Sequence, residues 1–410
     1  MKSKAGKLPR ALIVSTVALN ALGIGLVIPV MPQLLQQIGG VDVSRAASIG
    51  GMLSLAFVAM QVLFGPLMGA LSDQFGRRPV IVISLLTSAI DYAVLSFSNL
   101  LLLFFLARLV SGIASATYSV ANATMADTVP PEKRAAQFGL TGAALGIGFV
   151  LGPVFGGLLG EIGPRAPFVA AACLCFSAAT LCFFFLPETL AKENRRKLQF
   201  RDCIPLRPLW ALRRQPAIRS LAFVNFFDGL AGTVFPAVWS YYCLAQFDWQ
   251  PGMVGISLAA YGICMAGIQG GLIRVLVPRW GEHRTALVGL VFGVIGFLVL
   301  CRLESGTLTL MLIPILTLRV LSSTAVSGLV SKQASGDEQG ELQGVLTGVN
   351  GVAQLISLPL MTQVFEFANQ PDNATPWPGA PFAVAAGFTA MALVILAMHH
   401  RKIARNTVRS

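Results

Sequence analysis

Twelve apolar stretches long enough to cross a lipid bilayer run through this 410-residue chain. A spanning helix needs about 20 apolar residues, because the hydrocarbon core of a bilayer is about 30 Å thick. Only 12% of the residues are charged, against about 25% in a typical soluble domain. The chain is therefore predicted to be an all-α integral membrane protein with twelve spans, at 11–33, 47–71, 79–98, 101–125, 137–160, 166–186, 217–240, 252–277, 284–302, 306–330, 341–366 and 380–399.

A basic connection divides the spans into two sets of six. This plan predicts an N-terminal six-helix bundle at 1–189, a cytoplasmic linker at 190–216 and a pseudo-symmetric C-terminal bundle at 217–410. An internal repeat supports it, since GALSDQFGRRP follows span 2 and RVLVPRWGEHR follows span 8. Their glycines, Gly76 and Gly281, are 205 residues apart, and Pro278 stands in the second copy where Asp73 stands in the first.

The positive charge lies mostly on one side of the spans. With the N-terminus in the cytoplasm, the seven cytoplasmic segments carry 25 of the 30 Lys and Arg residues, and the outer loops carry three. This bias predicts that both termini are cytoplasmic. The net charge of +12 then reflects topology and contact with an anionic lipid leaflet, rather than nucleic-acid binding. The long first span, with Pro29 and Pro32 near its end, favours a retained helix over a cleaved signal peptide.

Enzymatic and metal-binding motifs are not found in the sequence. The three histidines have no nucleophile or metal cluster nearby, and there is no P-loop for ATP. The seven cysteines lack metal-ligand spacing and are expected to be free thiols. We therefore expect no enzyme, no cofactor and no metal site. A receptor or scaffold is disfavoured, because the chain has no long extra segment for sensing.

The loop after span 2 has the most specific local pattern. Asp73 and Arg77 are four residues apart and can pair if that turn is helical. Gly65 and Gly69 share a helix face that another helix can approach closely. Gly76 permits a tight reversal before the next helix. The simpler interpretation is an ordinary basic hairpin. As a candidate conformational gate, the loop contributes Gly69, Asp73, Gly76, Arg77 and Arg78.

Span 5 contains a second pattern, in which glycines recur every four residues at Gly152, Gly156 and Gly160. Such spacing makes a groove for a neighbouring helix, and Pro153 can bend the helix because it lacks a backbone donor. We count Gly152, Pro153 and Gly156 with the gate, although a plain packing face would have the same pattern.

These two patterns resemble the signature loop of the major facilitator superfamily and the glycine–proline motif of its drug:proton antiporters. Further likeness to the tetracycline:proton antiporters of Gram-negative bacteria lies in LGIGLVIPVMPQLL, ARLVSGIASAT and MADTVPPEKRAAQFG. The resemblance implies a monomeric secondary transporter of the bacterial inner membrane. It would export drugs or antibiotics in exchange for protons, as two bundles rock around a central cavity. A transporter of an endogenous metabolite on the same scaffold is the alternative.

The chain departs from that family at three positions. The resemblance implies an acid where Asn20 stands, a histidine where Met265 stands and an acid where Gly293 stands. Those groups are associated with proton coupling and with binding of metal-chelated tetracycline. Their loss leaves the identity of the substrate open.

Four charged side chains lie in the interior of the spans, away from their ends, namely Asp91, Arg108, Asp228 and Arg319. A charge at bilayer depth costs roughly 2.5–3.5 kcal/mol, so such residues usually have a role. Asp91 lies about 18 Å along span 3 from Pro79, past the midplane. We predict that Asp91, Asp228 and Arg108 take part in proton coupling. A static hydrogen-bonded acid, or a structural partner in the case of Arg108 and Arg319, is the alternative.

Polar and aromatic residues inside the spans are candidates for lining a cavity for a small-molecule substrate. Each could instead make a hydrogen bond between packed helices or lie at the membrane interface. The candidates are Asn20, Gln61, Asn122, Asn225, Trp239, Gln269 and Asn350.

Overall fold

The computed structural model describes residues 7–196, 198, 210, 212, 216–332 and 339–409. These residues form sixteen α-helices joined by short connections and by single turns of 3₁₀ or π helix. The helices are α1 Lys7–Val27, α2 Met31–Gly39, α3 Val43–Phe75, α4 Arg77–Phe97, α5 Leu101–Ala114, α6 Thr117–Asp127, α7 Pro131–Ile162, α8 Ala166–Phe185, α9 Pro216–Gly232, α10 Val234–Phe247, α11 Pro251–Gly267, α12 Ile273–Leu300, α13 Gly306–Leu316, α14 Val320–Lys332, α15 Gln339–Ala368 and α16 Ala380–Arg409.

Eleven helical stretches in the described residues are long and apolar enough to cross a membrane. One of them, Pro251–Leu300, has 50 residues, which is about twice the length that a bilayer requires. Gly281 breaks it with a φ of 76°, between the predicted spans 252–277 and 284–302. The all-α architecture with twelve spans is therefore confirmed.

Several spans consist of two helical pieces. Span 4 is interrupted at Ser115 and Ala116, between α5 and α6, and span 7 at Thr233, between α9 and α10. Span 10 contains a 3₁₀ turn at Thr317–Arg319, and span 8 a π turn at Ile268–Leu272. Irregular turns within spans are tolerated where protein surrounds them, because lipid cannot satisfy backbone polar groups. One of these irregular turns contains Arg319, a charged residue inside a span.

The described residues divide into two compact units. The first contains those up to Val41, those from Ala56 to Pro205, and Trp249–Ala259. Its helix α1 packs against α7 and α8, and α4 packs against α8. The buried core beneath these contacts includes Ile13, Val17, Ile81, Leu85 and Cys182.

The second unit contains Asp42–Leu55, the described residues from Leu206 to Asp248, and those after Ala260. Helix α9 packs against α15 and α16, and α12 packs against α14 and α16. The beginning of α3 joins this unit through an ion pair between Arg45 Nη1 and Glu366 Oε1, 2.7 Å apart. Most of the predicted linker 190–216 lies outside the described residues, and the proposed limits of the two bundles stay a prediction.

Candidate functional site

Asp91 and Arg108 form a buried ion pair in the first unit. Arg108 Nη2 lies 2.8 Å from Asp91 Oδ2, and the Asp91 side chain is 2% exposed. The pair joins α4 to α5, two helices that are consecutive in the chain. Because an unpaired charge at this depth would be costly, each residue requires the other. The sequence identified both residues but did not predict that they pair.

The environment of this pair is apolar and aromatic. The Arg108 guanidinium lies 5.8 Å from the Phe57 ring centre and 5.6 Å from that of Tyr92. These distances are within the range of cation–π contacts. Gly112, one turn after Arg108, packs so closely that a Cβ there would strike the carbonyl oxygen of Phe57. Helix α3 therefore lies directly against the arginine.

The hydrogen bonding of the pair is incomplete. Ser111 interacts with the Asp91 carboxylate, but buried Asp91 Oδ1 has no hydrogen-bond partner among the described residues. Buried Arg108 Nε and Nη2 also have none in this part of the chain, so the 2.8 Å contact of Nη2 with Asp91 is an ion pair without hydrogen-bond geometry. Buried polar atoms are seldom left unsatisfied, and such exceptions often accompany function. One carboxylate oxygen is thus open to a proton or to another donor.

A second buried ion pair joins Asp228 to Arg319 in the second unit. Arg319 Nη1 lies 2.5 Å from Asp228 Oδ1, and the same nitrogen lies 3.3 Å from the Asp228 carbonyl oxygen. Ser322 Oγ lies 2.8 Å from Asp228 Oδ2, to which its hydroxyl can donate, and the Arg319 carbonyl oxygen is a second acceptor at the same distance. Both carboxylate oxygens are therefore occupied. Ser322 was missed in the sequence, where a serine three residues after an arginine is too common to stand out.

The space for Arg319 is provided by two glycines. A Cβ at Gly293 would lie 2.8 Å from Arg319 Cγ, and a Cβ at Gly232 would lie 2.6 Å from Arg319 Nη2. The guanidinium also lies 5.8 Å from the Phe297 ring centre and interacts with Tyr261. The resemblance implies an acid at the position where this chain has Gly293. In this structure the glycine at that position leaves room for the buried Arg319 side chain.

The predicted pair in the loop between α3 and α4 is confirmed, since Arg77 Nη1 lies 2.6 Å from Asp73 Oδ1. Arg77 also binds Asp127, at the end of α6, with 3.1 Å between Nε and Oδ2. Ser72 accepts a further hydrogen bond from Arg77 at 2.6 Å. The arginine therefore connects three helices. Asp127 was not singled out in the sequence, although it lies in the phrase MADTVPPEKR.

Glu188, just after α8, completes this network. Its carboxylate accepts hydrogen bonds from the backbone N–H of Arg77, at 2.9 Å, and of Arg78, at 3.2 Å. A carboxylate at a helix N-terminus is favourable, because the first N–H groups of a helix have no intrahelical partner. Gly76 has a φ of 109°, and a Cβ there would strike Glu188. The sequence did not indicate Glu188.

Gly65 and Gly69 do not have the close helix neighbour that the sequence predicted. A Cβ added at either position would meet no atom within 4 Å in the described residues. The gate residues Asp73, Gly76, Arg77 and Arg78 lie together, and the Gly69 carbonyl reaches them through Ser72, whose hydroxyl donates to it at 2.8 Å.

The glycines of span 5 receive helix α1, as their spacing predicted. A Cβ at Gly152 would lie 2.7 Å from the Cα of Gly25, and one at Gly156 would strike the carbonyl oxygen of Leu26. Pro153 lies within the continuous helix α7, and a Cβ at Gly255 would strike its carbonyl oxygen. Backbone-to-backbone packing of this kind excludes larger side chains.

Most of the candidate substrate residues have a partner within their own unit. The three candidates in the first unit have different partners. Asn20 interacts with Cys175, Gln61 donates to Ser115 at 2.9 Å, and Asn122 accepts from Thr141 at 2.5 Å. In the second unit, Asn225 donates to Asn350 at 3.1 Å. Trp239 is buried among aromatic rings, and Gln269 is exposed in the π turn. Their role in substrate binding stays a prediction.

Comparison with known proteins agrees with this architecture. The family model of the Major Facilitator Superfamily matches residues 13–318. The class C tetracycline resistance protein of Escherichia coli is 36% identical over 365 residues, which cover 89% of this chain and 91% of that protein.

Solved transporter structures share the fold of this chain. The human organic anion transporter MFSD10 is 25% identical, with a TM-score of 0.69, and the match covers 95% of this chain and 99% of that one. The nucleoside transporter NupG has a TM-score of 0.77 at 15% identity, covering 96% of this chain and 99% of that one. The chain is a membrane transporter rather than an enzyme, and it belongs to the major facilitator superfamily.

Proposed function

We propose that this protein exports amphipathic or cationic drugs in exchange for protons, by alternating access, and that Asp91 carries the exchanged proton. The observation that supports it most directly is the buried Asp91–Arg108 pair with its one open carboxylate oxygen. The similarity to a tetracycline resistance protein over 89% of the chain favours a drug as the substrate.

Protonation of Asp91 would change the energy of this site in a way that can drive transport. A proton on the carboxyl group cancels the charge that compensates Arg108, so the protein must rearrange around an unbalanced cation. Two conformations that differ in how they accommodate Arg108 would then have different proton affinities. A ligand shifts an equilibrium only by its difference in affinity for the two states, and here the proton is that ligand.

Asp228 is retained as a second candidate for proton coupling, although its contacts favour the static alternative. Arg319 and Ser322 occupy both of its carboxylate oxygens. A proton would have to displace one of these partners. We therefore assign the exchange to Asp91 and treat Asp228 as the residue against which that assignment is tested.

The proposed location is the bacterial inner membrane, with both termini in the cytoplasm. The distribution of Lys and Arg along the sequence supports this orientation. The Arg77 network would then lie on the cytoplasmic side, where it would stabilise one of the two transport states.

The test is drug uptake into everted membrane vesicles energised to acidify the lumen. The panel contains cationic dyes, amphipathic antibiotics and tetracycline, which is included because Asn20, Met265 and Gly293 differ from the residues that the resemblance implies. We expect uptake of one or more compounds that collapses with a protonophore. Asp91→Asn should abolish it at equal protein level, because the amide cannot exchange a proton.

The matched control is Asp372→Asn, which neutralises an exposed acid in the loop between α15 and α16 and should transport normally. The proposal fails if no compound in the panel is taken up, or if Asp91→Asn transports as the wild type does. A growth phenotype restored by a metabolite, without any change in drug sensitivity, would select the metabolite transporter instead.

A further inference from the structure

The second loop of the internal repeat carries an ion pair of its own. Lys332 Nζ, at the end of α14, lies 2.5 Å from Glu282 Oε1. Glu282 directly follows Gly281, whose φ of 76° breaks the helix between spans 8 and 9. The stem of Glu282 passes over Gly328, where a Cβ would lie 3.3 Å from Glu282 Cγ. Gly328 and Lys332 are one helical turn apart, so both face the loop.

This pair occupies the same sequence positions as the Arg77–Asp127 pair. Arg77 and Glu282 are 205 residues apart, and so are Asp127 and Lys332. The glycines that precede Arg77 and Glu282 both have positive φ values, 109° and 76°. In each pair, one partner directly follows a turn glycine. The other partner stands at the end of a helix two spans further along, Asp127 at the end of span 4 and Lys332 at the end of span 10.

The charges, however, are exchanged. The loop residue is the cation in the first half and the acid in the second, while the helix end carries the opposite sign. Arg77 also has a second carboxylate, Asp73, whose counterpart in the second half is Pro278. The geometry of the attachment is therefore repeated, although the residue types are not.

We infer that Glu282 and Lys332 are positioning residues for transport, which fasten the second loop to the end of span 10 as Arg77 and Asp127 fasten the first loop to the end of span 4. What matters at this site is attraction across the contact, and either polarity supplies it. The pair shifts the balance between transport states rather than holding the fold together. This inference rests on the chain being a transporter and deepens the proposed function.

The experiment compares Glu282→Lys, Lys332→Glu and the double reversal, each in the full-length protein in lipid nanodiscs and in vesicles. Hydrogen–deuterium exchange is measured on peptides from both loops, and uptake is measured with a compound from the panel. Each single reversal should speed exchange in the second loop and lower the maximal uptake rate by about two- to fivefold, the change that a half-exposed ion pair supports. The apparent KM and the melting temperature should stay the same.

The double reversal should restore both slow exchange and uptake, because it recreates the attraction with the polarity of the first half. Glu304→Lys, at an exposed acid in the next loop, is the control and should change neither. The inference is wrong if the double reversal is as impaired as the single variants, or if the single variants behave as wild type. If wild-type protein takes up no compound, the proposed function fails, while the exchange measurement still decides this inference.

Discussion

Among the described residues, each unit holds a buried Asp–Arg pair, and the two pairs differ in how completely their carboxylate oxygens are bonded. In the second unit, Asp228 binds Arg319 and Ser322 through separate oxygens. In the first unit, Asp91 binds Arg108 through Oδ2 and leaves Oδ1 without a hydrogen-bond partner in the described chain. Both pairs meet the requirement that a buried charge be compensated. Only the first leaves an oxygen available for exchange.

The likeness between the pairs does not come from the internal repeat. Arg108-Leu-Val-Ser111 and Arg319-Val-Leu-Ser322 read almost alike, but their arginines are 211 residues apart. The turn glycines and the loop ion pairs repeat at 205 residues. Six residues of helix correspond to about 9 Å along the axis, so the two arginines are not at equivalent depths in their units. The same chemistry is built at two different places, and it therefore need not serve the same purpose.

The largest expected effect comes from neutralising each pair as a whole. Asp91→Asn with Arg108→Gln should reduce proton-driven uptake to background, because the exchangeable carboxyl group is gone. Asp228→Asn with Arg319→Gln should retain uptake within about fivefold of wild type, a change on the order of 1 kcal/mol in the balance between states. Uptake into vesicles at matched protein level gives both rates.

This comparison would be reversed if the Asp228–Arg319 double variant lost proton-driven uptake while the Asp91–Arg108 double variant kept it. Loss of uptake in both would mean that proton exchange involves the two units together. Folding of every variant is checked by its elution profile and melting temperature in detergent.

A smaller effect is expected from adding a methyl group beside each arginine. At Gly112 the new Cβ strikes the backbone of Phe57, which cannot move alone, whereas at Gly293 it meets the flexible stem of Arg319 at 2.8 Å. Overpacking costs about 1–3 kcal/mol, so Gly112→Ala should be near the upper end and Gly293→Ala near the lower. Melting temperatures in nanodiscs report the order.

Gly146→Ala, on a face of α7 where a Cβ would meet nothing within 4 Å among the described residues, is the matched control and should not lower the melting temperature. If Gly293→Ala were the more destabilising of the two, the second pair would be held more rigidly than its contacts indicate.

A third effect separates the two serines. Ser322→Ala removes the donor to Asp228 Oδ2 and should destabilise the protein by about 1–3 kcal/mol, because a buried carboxylate oxygen then lacks its partner. Ser111→Ala should cost less, since Asp91 already tolerates one unpaired oxygen. Ser323→Ala is the control for Ser322, because its hydroxyl binds the Val320 carbonyl instead. Equal losses for Ser111→Ala and Ser322→Ala in thermal unfolding would remove the proposed difference between the pairs.

Much of the architecture could be predicted from the sequence because its signals are local. The length of each apolar stretch gives the number of spans. Gly76 and Gly281 lie in loops between spans, where a glycine permits a tight turn. Asp73 and Arg77 are four residues apart across the turn between α3 and α4, so their contact is local and needed no knowledge of the rest of the protein. The glycines of span 5 likewise predicted a packing groove without naming its partner.

The contacts that could not be predicted join residues far apart in the chain. Glu188 reaches Arg77 across 111 residues, and Arg319 reaches Asp228 across 91 residues. Sequence periodicity describes neighbours on one helix and does not predict contacts between residues this far apart in the chain. Among the described residues no helix approaches Gly69 closely, since small residues permit such a contact but do not supply the helix that makes it.

The sequence by itself determined that this chain lies in a membrane, how many times it crosses and which ionisable residues are carried into the spans, because these follow from the cost of placing each segment in lipid. The tertiary structure alone decided which acid meets which cation and how many oxygens remain open. Those outcomes depend on the separation and rotation of the packed helices. A shift of about one ångström between two helices can make or break such a contact without any change of residue.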